Sequence, residues 1–126
     1  YFLETAARVG GANIDRLVAA ATGVVLWREA ARIDLASVRR EAYQLPTPQN
    51  SYAGLIICLA QQEQPDLSAY NDPEIVWRLP KKYHAGLLVA GEDYGRIQQL
   101  INNYSERFAR DFLTSAPPKS NVRTQI

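Results

Sequence analysis

Two side chains in this sequence invite a search for nucleophilic or metal chemistry: the single histidine, His84, and the single cysteine, Cys58. A Ser–His–acid arrangement would have to draw its base from His84. That residue lies between Tyr83 and Ala85 at an expected helix start, a place for packing or capping. Cys58 sits inside the run Leu55 to Leu59 and reads as a small buried hydrophobe, not a nucleophile. One cysteine forms no internal disulfide, and one of each leaves too few soft ligands for a closed zinc site. Glu92 and Asp93 are neighbours that a helix would point about 100° apart, a poor acid/base pair. No G-x-x-x-x-G-K-[ST], G-x-G-x-x-G or H-E-x-x-H occurs. The expectation is a protein that is not an enzyme, with no cofactor and no metal.

What the sequence does offer is arginine. Eleven of its fourteen cations are Arg, with Lys only at Lys81, Lys82 and Lys119. Arg is preferred where a planar fork must meet phosphate or carboxylate. On a helix, Arg28, Arg32 and Arg39 fall within about 40° of one another. Glu29, Asp34 and Glu41 lie off that stripe. Two readings stand: a solvated face with an occasional ion pair, or a row of phosphate contacts. The net charge of +1 by itself predicts neither nucleic-acid nor membrane binding.

The elements that would position these residues follow from periodicity. With 126 residues, 47% of them hydrophobic, the chain is expected to form one globular domain. No apolar run reaches the length of a membrane span. Tyr1 to Val9 reads as a short helical segment ended by Gly10-Gly11, a hinge. From Ala12 to Leu45 the pattern is helical, with Asn13 as one cap and Asp34 as a second, so two helices in line are expected. Ala19 to Gly23 leaves a patch with almost no side chain. Pro46 and Pro48 stop the helix. Asn50 or Ser51 is then placed to cap a compact apolar helix from Tyr52 to Gln62, and Asp72-Pro73 to open a short one carrying Ile75, Val76, Trp77 and Leu79. In the last long stretch, Tyr83 to Phe112, the residues Leu87, Ala90, Tyr94, Ile97, Ile101, Tyr104 and Phe108 recur at steps of three and four. Gly91 should break it, with the main helix restarting at Glu92. The fold expected is all-α: an extended helical arm over 1–45, a compact helical bundle over 46–116, and a tail over 117–126.

The order of segments from Pro46 to Pro117 is also distinctive. A proline stop (LPTPQ) precedes a short apolar segment (YAGLIICLAQQ). A loop leads to KKYHAGLLVA, then YGRIQQLINNYSERFARDFL follows, closed by SAP. This order resembles the major capsid proteins of rod-shaped and filamentous archaeal viruses (rudivirus-, lipothrixvirus- and tristromavirus-like) that package linear double-stranded DNA. The resemblance implies an all-helical capsid protein of the virion. Its C-terminal bundle would lie outside, and its N-terminal helices would wrap DNA held in an A-like form. Two subunits, identical or related, would pair around the DNA within a helical filament. The DNA contacts expected are then Arg16, Arg28, Arg32, Arg39 and Arg40, chosen on the helical-face argument alone. Residues 1–45 hold six Arg against five acids, so a more basic partner subunit is expected to supply the missing phosphate neutralisation. The alternatives are a helical adaptor or oligomerisation module that binds no nucleic acid and, as a second rival, a small enzyme using His84.

Overall fold

Three of the segments expected to be helical are strands. The computed structural model describes residues 9–114, so the expected N-terminal segment (all but Val9) and the tail over 117–126 lie outside the described residues. Within them the chain forms α1 (Ile14–Thr22), α2 (Leu26–Arg39), β1 (Tyr52–Leu59), β2 (Ile75–Arg78), β3 (His84–Gly91) and α3 (Tyr94–Asp111). The strands make one antiparallel sheet in the order β1-β3-β2. The all-α expectation, and with it the helical bundle over 46–116, is therefore corrected to a mixed α/β fold.

The physical reason lies in what covers the strands. A short continuous apolar run suits a buried helix or a strand covered on both faces, and periodicity alone does not separate them. Here both faces are covered. Gly54, Ile56 and Cys58 of β1 stand opposite Val89, Leu87 and Ala85 of β3. Ile56 and those three β3 residues join the core cluster with Ile97, Leu100 and Tyr104 of α3, while Cys58 packs against its edge. The alternate residues, among them Ile57, Leu88 and Trp77, face the side on which α1 lies. β3 is the central strand, and Ala85, Leu87, Leu88 and Val89 are all buried. Each fully buried aliphatic side chain of this kind contributes about 1.5–3 kcal/mol. The Asp72-Pro73 pair begins a turn, closed by the Ile75 N–H donating to the Asp72 carbonyl at 3.1 Å, and the β-branched Ile75-Val76 continues as an edge strand.

α3 keeps part of the expected stripe, with Leu100 added, Tyr94 left open, and Leu87 and Ala90 in β3 instead. Its N-cap is Asp93, whose side chain accepts from the Arg96 N–H at 3.0 Å, so the helix begins at Tyr94, two residues beyond the expected restart. Ile97, Leu100, Tyr104 and Phe108 are buried, Ile101 is half-buried, and Tyr94 is exposed. The connection from β1 to β2 brings Tyr70 onto Tyr104, Phe108 and Phe112, with ring centroids 5.1–5.8 Å apart. Such edge-on aromatic pairs add about 0.5–1.5 kcal/mol each beyond burial. Two glycines allow close layers: a Cβ on Gly54 would collide with Ile101 Cδ1, and one on Gly86 would meet Leu79 Cβ at 2.7 Å.

The N-terminal pair is helical, but the break falls at Gly23 and not at Asp34. Gly23 adopts φ 73° as the α1 C-cap, with its N–H on the Ala19 carbonyl. Asp34 lies inside α2, and Asn13 occupies the N-cap of α1 without a side-chain cap bond. α2 ends at Arg40, in the left-handed region at φ 56°, leaving residues 40–51 without regular structure. Gln49 and Ser51 then donate their N–H groups to the Thr22 and Ala21 carbonyls, at 2.8 and 3.1 Å. Those bonds seat the start of β1 against the end of α1.

Candidate interaction surface

The helix that carries the arginine stripe is mostly open, with ten of its fourteen residues exposed. Glu29 is its only buried residue, at 5% exposure. Trp27 is 60% exposed and Val38 82%, with Ile33 and Leu35 also open. Trp27, Ala31 and Val38 fall within about 40° of one another on the helix, and Leu35 lies beside them. That apolar strip runs directly along the Arg28, Arg32 and Arg39 strip. On the opposite side of α2, Leu26, Ala30 and Ile33 line a shallow groove shared with Val24 and Leu45.

Glu29 organises the cationic face. Its carboxylate accepts from Arg28 Nε at 3.1 Å, from Arg32 Nη1 at 2.8 Å and from the Tyr43 hydroxyl at 2.9 Å. Burial pushes its carboxyl up, but the Tyr43, Arg28 and Arg32 contacts outweigh that and hold its pKa below the ordinary value. Tyr43 in turn lies under the Arg32 guanidinium, 5.7 Å from ring centroid to Cζ, and burial with the Glu29 bond raises its own pKa. Two of the stripe's three arginines therefore share one carboxylate.

The five arginines singled out in the sequence are not brought to one surface. Arg28 and Arg32 stand together on Glu29, and Arg39 is exposed in the last turn of the same helix. Arg40 has left the helix as its C-cap. Arg16 lies on α1, its guanidinium 4.8 Å over the Trp77 ring, where it ties α1 to β2. Glu29 and Arg32 are three apart on α2, yet by spacing Glu29 lies off the arginine stripe, so their pairing shows only in the fold. Tyr43, fourteen residues on and beyond the helix end, carried no local signal.

Elsewhere the polar side chains hold elements together. Arg96 of α3 donates to Glu74 Oε1 at 2.8 Å and to Asp72 Oδ1 at 2.6 Å, while the Tyr104 hydroxyl bonds Asp72 Oδ2. Both carboxyls are held below their ordinary pKa, Asp72 by Tyr104 and then Arg96, Glu74 by Arg96. His84 Nδ1 lies 2.9 Å from the Lys82 carbonyl. Cys58 is half-buried, not fully buried, and its burial pushes the thiol up, away from thiolate chemistry. Asp93 is engaged as the α3 cap. Among the described residues no group of three His, Cys, Asp or Glu side chains converges. No protein-family model, curated protein or solved structure matches the chain.

Proposed function

We propose that this protein is a non-catalytic adaptor whose α2 helix docks an amphipathic helix of a partner protein, one with acidic residues beside its apolar stripe. The observation that carries this reading is the exposed strip of Trp27, Ala31, Leu35 and Val38 running along the arginine strip. Apolar surface of this kind offers little to a phosphate backbone. It suits the apolar face of a helix, with the adjacent guanidinium groups meeting carboxylates in bidentate pairs. A second copy of α2 is a poorer occupant, because antiparallel self-pairing along the apolar strip would bring the two arginine strips together. The capsid resemblance implies an all-helical fold, which the strands β1 and β3 do not fit.

The test uses labelled peptides of about 18 residues, each with a leucine stripe flanked by Glu in one and by Lys in the other, and a duplex DNA. The Glu-flanked peptide should bind, more weakly as salt rises. Trp27→Ala should weaken it by about 2 kcal/mol or more, as for a central aromatic anchor. Replacing Arg28, Arg32 and Arg39 by Gln should weaken it further, while the Lys-flanked peptide should not bind. Equal binding of both peptides, or of neither, would overturn the reading. So would duplex binding whose salt slope falls by about 2–3 in the triple Gln variant.

A further inference from the structure

We infer that the protein forms a two-fold dimer by pairing β1 with β1 of a second copy, which joins the two sheets into one. β1 is an edge strand, and its eight residues, YAGLIICL, contain no charge and no proline. Soluble proteins protect such edges with charges, prolines, bulges or a covering element. Among the described residues the hydrogen-bonded covering lies at the two ends. At one end the Leu59 carbonyl accepts from the Thr114 N–H, and the Gln61 N–H donates to the Phe112 carbonyl, each at 3.2 Å. At the other, Ser51 donates to the Ala21 carbonyl. Ala60, in the other phase, donates inward to Tyr83 at 2.8 Å. By the alternation of an antiparallel ladder, Ala53, Leu55 and Ile57 share the phase of Ser51 and Leu59, so their N–H and C=O groups point away from β3. The open window is Ala53 to Ile57.

That window is centred on Leu55, which selects its occupant. A second β1 placed antiparallel with Leu55 opposite Leu55 sets Ala53 against Ile57 twice, and each outward residue then exchanges both bonds with its opposite. Leu113 bridges Ala60 in antiparallel register; a strand continued in that register would need an N–H opposite Leu55, at position 118, where the sequence has a proline. The surface beside the edge is also apolar: Tyr52 and Tyr94 meet edge-to-face at 5.3 Å, both exposed, next to half-buried Ile101. These side chains extend the contact from the strand edge onto α3.

Sedimentation and amide exchange test the pairing on the whole chain. The wild type should shift, with rising concentration, from the 14.1 kDa monomer to twice that mass. When nine-tenths of it is paired, the amides of Ala53, Leu55 and Ile57 should exchange about tenfold more slowly than in the monomer, with those of Gly54 and Ile56 little changed. Leu55→Pro removes one outward N–H and none of the bonds to β3, so it should leave a folded monomer. The alternating exchange pattern is read on the wild type and does not depend on that variant folding. A wild type that stays monomeric up to about 1 mM, a millimolar affinity being negligible for such a pair, would overturn the inference. So would a dimer in which the three odd-numbered amides keep their monomer rates. Trp27→Ala should leave the dimer intact, so loss of helix binding and loss of strand pairing are scored separately.

Discussion

At the scale of single residues, the side chains that look reactive are occupied with structure. Asp72 and Glu74 are held ionised by Tyr104 and Arg96, and Asp111 by Arg110 and then Tyr70. Carboxyls whose folded pKa is depressed contribute stability that is fully present above their unfolded pKa values, about 4. It is lost as pH falls through the lower folded values. The urea midpoint should therefore fall steeply below about pH 4, and Arg96→Gln should make that dependence shallower. A variant with the same acid limb as the wild type would show that Arg96 does not stabilise these carboxylates. The phenols shift the other way. Burial first, and then the bonds to Asp111 and Asp72, push Tyr70 and Tyr104 up to about 12. Their folded pKa values exceed the unfolded value of about 10, so their contribution is complete below pH 10 and is lost as pH rises towards 12. Absorbance titration at alkaline pH should show a late-ionising fraction that disappears in the Tyr70→Phe, Tyr104→Phe double variant.

At the scale of elements, the two close-approach glycines should behave differently. Gly86→Ala drives a methyl into Leu79 Cβ, an atom fixed to the backbone, so it should cost about 1–3 kcal/mol in denaturant melting. Gly54→Ala meets the far end of the Ile101 side chain, which is half-buried and has an open groove beside it. It should cost less than Gly86→Ala, and Ile101→Ala in the same chain should remove most of that cost, a non-additive pair. These elements also show what the sequence made legible. The stripe of α3 was plain because Ile97, Ile101, Tyr104 and Phe108 alternate with polar residues, although the stretch before Gly91 is a strand and not helix. The strands were not plain. Ile56-Ile57 and Leu87-Leu88-Val89 are apolar on both sides, so the period that separates strand from helix is erased where the sheet is deepest. Arg28, Arg32 and Arg39 share the helix α2. Glu29 lies off their strip by spacing, and only the fold shows its carboxylate turned beneath Arg28 and Arg32.

At the scale of the whole molecule, burial is distributed unevenly. The buried aromatic and aliphatic cluster is shared by the sheet, α3 and the β1–β2 connection, whereas α2 packs chiefly on α1 and adds Glu29 alone to the buried residues. Local opening free energies follow such differences in packing. Amides of α2 should accordingly exchange at least about a hundredfold faster than those of Ile97 to Phe108, and equal protection would mean that α2 is covered in solution. The length of α2 has a further effect. Fourteen residues is near the limit at which a helix persists without tertiary support. Docking a partner on α2 would then shift a coil–helix equilibrium as well as form contacts. The calorimetric signature would be a heat-capacity decrease larger than the contact surface alone accounts for. Alanine in place of Ser37, away from the apolar strip, would raise affinity by pre-forming the helix, chiefly through a lower ordering entropy.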